Sequence, residues 1–290
     1  VKLRKLFVVC ADMTRSFSAL FRPGVLYALV ALFLIWTVTP VVWVGIMSVQ
    51  PEINYVAVPP HLRLQDVSLR WYSDMLAQAD FADALKNSVI IATLTMVFCL
   101  FFGSLAAYPL SRLRLAGKRL FLFASVVMRM LPAIVLIIPM FLLIRLLGLR
   151  DTHLGLVIVY TTFLLPFSIW MLKNFFDQVP YSLEAAARMD GCSRLGALWR
   201  VLLPAVAPGV VATAVFAFIG AWNEFLFGLI LSTSVATPVT VKISALVSST
   251  FHTDTSLVAA AGMLAILPVV VLVIVLNRYI VRGLVEGVKY

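Results

Sequence analysis

Six segments of this chain are apolar over roughly the length of a bilayer-crossing helix, and that limits the fold more than any motif does. They run from Val25 to Met47, Asn87 to Leu110, about Leu120 to Ile144, Leu154 to Leu172, Pro208 to Leu231 and Val258 to about Asn277. About 20 predominantly apolar residues in a helix cross a hydrocarbon core of roughly 30 Å. Free backbone N–H and C=O groups find no water there, so runs of this length are helices. Composition agrees. Hydrophobic residues make up 62% of the chain and charged residues 12%, against roughly 45–50% and about 25% in soluble domains. The expected fold is all-α and polytopic, with six transmembrane helices in a domain over 25–290 and an N-terminal arm over 1–24. The first run is too long for a signal-peptide core and lacks a clear cleavage site, so it reads as an uncleaved span.

Charge sorting sets the expected orientation. A net charge of +10 would suggest a nucleic-acid partner in a soluble protein. In a membrane protein the first question is which side carries it. With the N-terminus inside, sixteen of the 23 Lys and Arg residues fall on the cytoplasmic side and six outside, with Arg129 inside the third run. Lys2, Arg4, Lys5, Arg15 and Arg22 lie in the arm, and Arg112, Arg114, Lys118 and Arg119 follow the second run. Both termini and the segment Lys173–Ala207 are therefore expected in the cytoplasm.

Tyr181 to Gly209, which overlaps that segment, is a polar stretch whose surroundings are largely apolar. Ala185, Ala186, Ala187, Arg188 and Met189 are good helix formers. Gly191 then suits a left-handed helix end, and Ser193 is placed to cap a second helix. Leu195, Leu198, Trp199 and Leu202 recur at 3–4 spacing as an apolar stripe. Pro204 and Pro208 lead into the next apolar run. Glu184 falls in the first turn of its helix, where a negative charge is favoured by about 0.3–1 kcal/mol.

Glu184-Ala185-Ala186-Ala187, then Asp190-Gly191, then Leu203-Pro204 and Pro208-Gly209 resemble the EAA loop of binding-protein-dependent ABC importer permeases. The form Leu-Glu-x-Ala-Ala-x-x-Asp-Gly-x-Ser is similar to the carbohydrate-uptake branch, and within it to the MalG-like permeases. Cys192 stands where alanine is commoner, and Leu198 where phenylalanine is. The resemblance covers roughly residues 20 to 290. It implies the type I ABC importer permease fold, a bacterial inner membrane, and a second related permease as heterodimer partner. It also implies an ATPase dimer that holds the ATP and Mg²⁺, and an extracytoplasmic sugar-binding protein. The coupling residues it implies are Glu184, Ala185, Ala186, Ala187, Asp190, Gly191, Cys192, Ser193, Leu198 and Pro204. The tail from Arg282 to Tyr290 resembles the short C-terminal segment that reaches the ATPase. Malto-oligosaccharides, other disaccharides, uronate oligomers and glycerol phosphates all stay open as substrates.

Little else in the chain points to chemistry. Gly117-Lys118 lacks the glycine five residues earlier that a Walker A loop needs, since Arg112 stands there. Cys10, Cys99 and Cys192 are scattered, without a metal or disulfide pattern. His61, His153 and His252 fall in expected outer loops and read as surface histidines. The expectation is a transporter subunit with no catalytic residue, metal or cofactor of its own. Arg129 and Glu224 are the charges expected at hydrocarbon depth, where ions face a cavity or each other. Asn223, Glu224 and Arg129 are the candidates for the translocation pathway, with a structural Arg129–Glu224 pair as the plainer alternative. Pro132, Pro139 and Pro268 inside runs can kink their helices. Two other functions compete. A gradient-driven carrier of a small polar solute would want an intramembrane ion site, for which Glu224 alone is weak. A membrane-embedded enzyme would need a cluster of His, Asp or Cys.

Overall fold

The protein is described here by a computed structural model that covers residues 23–248 and 254–286; the side chains of residues 23, 126, 129 and 277–286 lie outside that description. The arm, His252, the Arg129 side chain and the tail side chains are therefore expectations outside the described residues. All regular elements among the described residues are helical. They are α1 (Pro23–Met47), α2 (Glu52–Val56), α3 (Arg70–Ala77), α4 (Ala79–Arg112), α5 (Lys118–Met130), α6 (Ala133–Leu146) and α7 (His153–Gln178). Then come α8 (Tyr181–Met189), α9 (Arg194–Ala197), a π-helical turn (Leu198–Leu202) and α10 (Leu203–Ala205). The chain continues with α11 (Ala207–Trp222), α12 (Leu226–Leu231), α13 (Val239–Ser248) and α14 (Thr255–Glu286).

The chain forms two compact units. One comprises the residues up to Trp71 together with Asp254–Met263. In it α1 is a naked apolar rod: Trp36 is 81% exposed and Phe33 68%. Such a surface is at home only in lipid or against another apolar helix. Beyond α1, side chains tie the 48–71 segment to the start of α14. Tyr55 and Ser256 share a hydroxyl–hydroxyl bond of 2.9 Å, Thr255 Oγ1 donates to Glu52, and Trp71 Nε1 donates to Asp254 at 2.7 Å.

The second unit comprises Tyr72–Thr253 and the chain from Leu264 onward. Its frame is α4, lying along α7 and α11. With 34 residues, α4 is about 50 Å long at roughly 1.5 Å per residue, longer than the hydrocarbon core. Its last turns sit in an apolar cluster of Ala107, Tyr108 and Leu110 with Leu172, Phe176, Leu198 and Leu202. This cluster cements the end of α4, the end of α7 and the underside of the 181–206 segment into one body. Gly209 belongs to the same joint. A Cβ there would overlap the Phe175 ring, so only glycine lets α11 start this close to α7.

Four of the six expected spans are single helices long and apolar enough to cross a membrane: within α1, α4, α7 and α14. The third run is not one helix. It breaks at Leu131-Pro132 into α5 and α6, whereas Pro139 and Pro268 stay inside helices. Pro132 cannot donate an N–H and holds the preceding residue extended, which accounts for the break. The fifth run also breaks, at residues 223–225, into α11 and α12. α4 begins at Ala79 and α7 ends at Gln178, so both outrun their apolar stretches, and the first residues of the 173–207 segment continue α7.

Candidate functional site

The 181–206 segment folds as two short helices at a sharp turn, for readable local reasons. α8 ends in a Schellman motif: Gly191 N–H donates to Arg188 O at 3.2 Å, and Cys192 N–H to Ala187 O at 3.0 Å. The motif puts Gly191 at φ +89°, the left-handed backbone anticipated from the sequence. Ser193 Oγ then accepts the Gly196 N–H at 3.0 Å and caps α9. The Arg194–Ala205 rod meets α11 at 87°, so α9 and its continuation run off-axis from the span they feed. Ala185, Ala186, Asp190, Gly191, Ser193 and Pro204 are exposed, as is Met189, and Cys192 is half-buried. Glu184, Ala187 and Leu198 are buried instead. The expected apolar stripe divides: Leu198 and Leu202 face the core, while Leu195 and Trp199 remain exposed. The π-helical turn explains this, since it slips the register of Leu198–Leu202 away from 3.6 residues per turn.

Glu184 does more than answer a helix dipole. Its Oε1 accepts the Tyr108 hydroxyl at 2.6 Å, and its Oε2 lies 3.1 Å from Arg112 Nε. The two charged side chains, Arg112 and Glu184, are 2% and 11% exposed. The ion pair is in contact but not aligned as a hydrogen bond, because Arg112 Nε and Glu184 Oε2 lack hydrogen-bond partners among the described residues. Arg112 Nη2 donates to Val179 O at 3.0 Å, and its guanidinium lies 4.6 Å from the centre of the Tyr181 ring. Ser111 Oγ donates to Asp177, which also pairs with Lys173. The first helix of the segment is thus bolted to the end of α4 by a buried charge. Tyr108 and Arg112 are site residues that the sequence reading missed. A signal for them exists: they stand four residues apart, on one helical face, at the end of an apolar run.

Different chemistry occupies the N-terminal end of α4. Asp151 adopts φ +56° in the turn before α7. Its carboxylate accepts N–H bonds from Thr233, Ser234, Val235 and Ala236, and hydroxyl bonds from Thr233 and Ser234. Burial pushes this carboxyl up, but the donors of Thr233, Val235 and Ala236 outweigh it and hold it well below the usual carboxylate range. His153 is no bare surface histidine, because its Nε2 meets Asn87 Oδ1 at 2.7 Å. Asn87 Nδ2 in turn donates to Val235 O. A cavity of 340 Å³ opens beside these groups, lined by Asp80, Asp83, Asn87, Thr237 and Lys242 among others. Asn223 is exposed and Glu224 half-buried at the break between α11 and α12. Glu224 Oε1 accepts the Phe227 N–H at 3.0 Å and so restarts the helix, and its carbonyl accepts the Thr240 hydroxyl.

This combination defines a class: a helical membrane permease with the type I ABC importer fold. The chain belongs to the family described as binding-protein-dependent transport system inner membrane component, whose profile matches residues 99–286. It is therefore a transporter subunit and not an enzyme, with ATP hydrolysis on a separate chain. It is 36% identical over 254 residues to the trehalose transport system permease protein SugB of Mycobacterium tuberculosis, covering 87% of this chain and 92% of that one. It is 33% identical over 267 residues to the trehalose/maltose transport system permease protein MalG of Thermococcus litoralis, covering 91% and 93%. A chain from the crystal structure of a bacterial ABC transporter that imports the acidic polysaccharide alginate superposes with a TM-score of 0.75. It is 25% identical, over 89% of this chain and 96% of that one.

Proposed function

We propose that this chain is the MalG-like half of the permease in an ATP-driven importer of a di- or oligosaccharide, working by alternating access. Its partners in this reading are a second related permease, an ATPase dimer holding ATP and Mg²⁺, and an extracytoplasmic sugar-binding protein. The chain sits in a bacterial inner membrane with six spans, α5–α6 and α11–α12 each forming one broken span, and both termini in the cytoplasm. The 173–207 segment is the coupling element. α8 offers Ala185, Ala186, Asp190 and Gly191 to the ATPase, while Glu184, Ala187 and Leu198 hold it from beneath. The observation that carries this reading is the buried Tyr108–Glu184–Arg112 cluster. A helix that only connected two spans would need no desolvated charge to fix it to the end of α4. A helix that passes movement to α4 must be fixed to it, and the cluster supplies that attachment.

Asn223 and Glu224 are proposed to face the pathway, because irregular backbone at membrane depth is tolerated where it lines a cavity. The sugar class rests on the relatives, which carry trehalose, trehalose or maltose, and alginate by name. The test is reconstitution with the partner permease, ATPase and binding protein in liposomes. Uptake of trehalose or maltose should need internal ATP and persist when ionophores collapse ion gradients. Uptake that proceeds without ATP and stops with the ionophore would establish the gradient-driven alternative.

A further inference from the structure

The Glu184 cluster borders a cavity at the edge of the coupling element, and its arginines have no part in the coupling account beyond Arg112. It measures 240 Å³ and is lined by Arg112, Tyr181, Glu184, Ala185, Arg188 and Arg194, among others. That is below the roughly 300–1,000 Å³ of sites for drug-sized ligands, so it suits a small group. Three arginines face one glutamate, and that glutamate is already engaged with Tyr108 and Arg112. Arg112 is the telling member. Its side chain is 2% exposed, yet Nη1 is buried with no hydrogen-bond partner among the described residues. A desolvated guanidinium donor with nothing to bond is costly and asks for an acceptor.

We infer that this cavity binds a phosphate group, supplied by a lipid head group or by soluble phosphate. Guanidinium forks match phosphate oxygens in pairs. The arginines come from three different elements, α4, α8 and α9, so they surround a ligand and do not merely line one helix face. The excess of two positive charges suits a phosphate monoester, which carries about −1.5 to −2 at neutral pH, better than one carboxylate. The cavity also lies at the end of an apolar helix, where lipid head groups gather. An occupant would touch α4, α8 and α9 together and stiffen the joint between them. This inference concerns a ligand and stands whether or not the transported solute is a sugar.

The test uses the purified permease in its complex and two probes. One arm places it in phosphatidylcholine nanodiscs with or without phosphatidic acid and counts retained lipid by native mass spectrometry. The other titrates inorganic phosphate at constant ionic strength and follows thermal stability, with succinate as the carboxylate control. Binding in the first arm alone identifies the lipid head group; binding in the second identifies soluble phosphate; either supports the site. Arg188→Gln with Arg194→Gln should weaken binding at least tenfold while leaving the anion-free melting temperature unchanged. Arg114→Gln with Arg119→Gln removes equal charge from the neighbouring exposed segment and should change binding less than twofold. Equal losses in the two pairs, succinate binding as tight as phosphate, or no anion binding in either arm would overturn the proposal.

Discussion

Replacing Glu184 by Gln is the most informative single change in this protein. The substituted amide keeps an oxygen for the Tyr108 hydroxyl but deletes the charge that faces Arg112. The guanidinium is 2% exposed and cannot turn out to water. Removing one partner of a buried ion pair typically costs about 3–5 kcal/mol, because the other charge stays buried. The pair here is short but misaligned, which argues for the lower end, about 3 kcal/mol. Tyr108→Phe loses only the hydrogen bond to the carboxylate and should cost about 1.5–3 kcal/mol. Arg112→Gln with Glu184→Gln removes both charges and should be less harmful than the sum of the singles, with a coupling of about 0.5–3 kcal/mol. The assay is equilibrium unfolding in mixed micelles, read by the fluorescence of Trp199 with the other tryptophans replaced by Phe; Trp199 stacks on Phe101 of α4 at 5.9 Å. A Glu184→Gln effect below about 1 kcal/mol, or strictly additive charge substitutions, would refute the buried anchor. A dipole effect alone would be worth about 0.3–1 kcal/mol, so the two explanations separate cleanly.

Two further predictions rest on single residues. Gly191 has φ +89° and no atom within 4 Å of where a Cβ would lie. Its requirement is conformational: Gly191→Val should cost at least about 1–2 kcal/mol, and Gly191→Asn clearly less; thermal shifts of the pair check this, and equal shifts would contradict it. Asp151 has a carboxyl held below its ordinary range, so its contribution is complete above the unfolded pKa and fades only as pH falls through the lower folded value. The 232–237 loop should therefore stay protected from amide exchange down to about pH 4, whereas Asp151→Asn, which tolerates the same left-handed backbone, should expose it at neutral pH.

Much of this is legible in the chain because it depends on local chemistry. Gly191 and Ser193 dictate the helix end and the next helix start, and both behave as their residue types require. The membrane class follows from length and apolarity alone. The broken spans are less legible. Pro132 announces a break, but Pro139 and Pro268 do not cause one, because α6 and α14 accommodate the lost N–H bond. At residues 223–225 no proline stands, and the break depends on Glu224 capping Phe227 and holding Thr240. Glu184 stands out in the sequence, yet its direction is hidden there. Whether a glutamate in a first turn faces water or a buried arginine depends on α4, more than 70 residues away in sequence. Asp151 escapes notice for the same reason, since its donors come from 82 to 85 residues downstream.

The central claim is that α8 is a docking surface for the ATPase, held rigid from below. Ala186 tests it most directly, because its side chain is exposed and surface changes of this kind usually alter stability by no more than about 0.5 kcal/mol. Ala186→Trp should leave the permease inserted and its melting temperature unchanged. The measurement is recovery of the ATPase with the purified permease, together with stimulation of ATP turnover by loaded binding protein in liposomes. The account predicts that both are lost. Full ATPase recovery and full stimulation in a folded Ala186→Trp permease would contradict it.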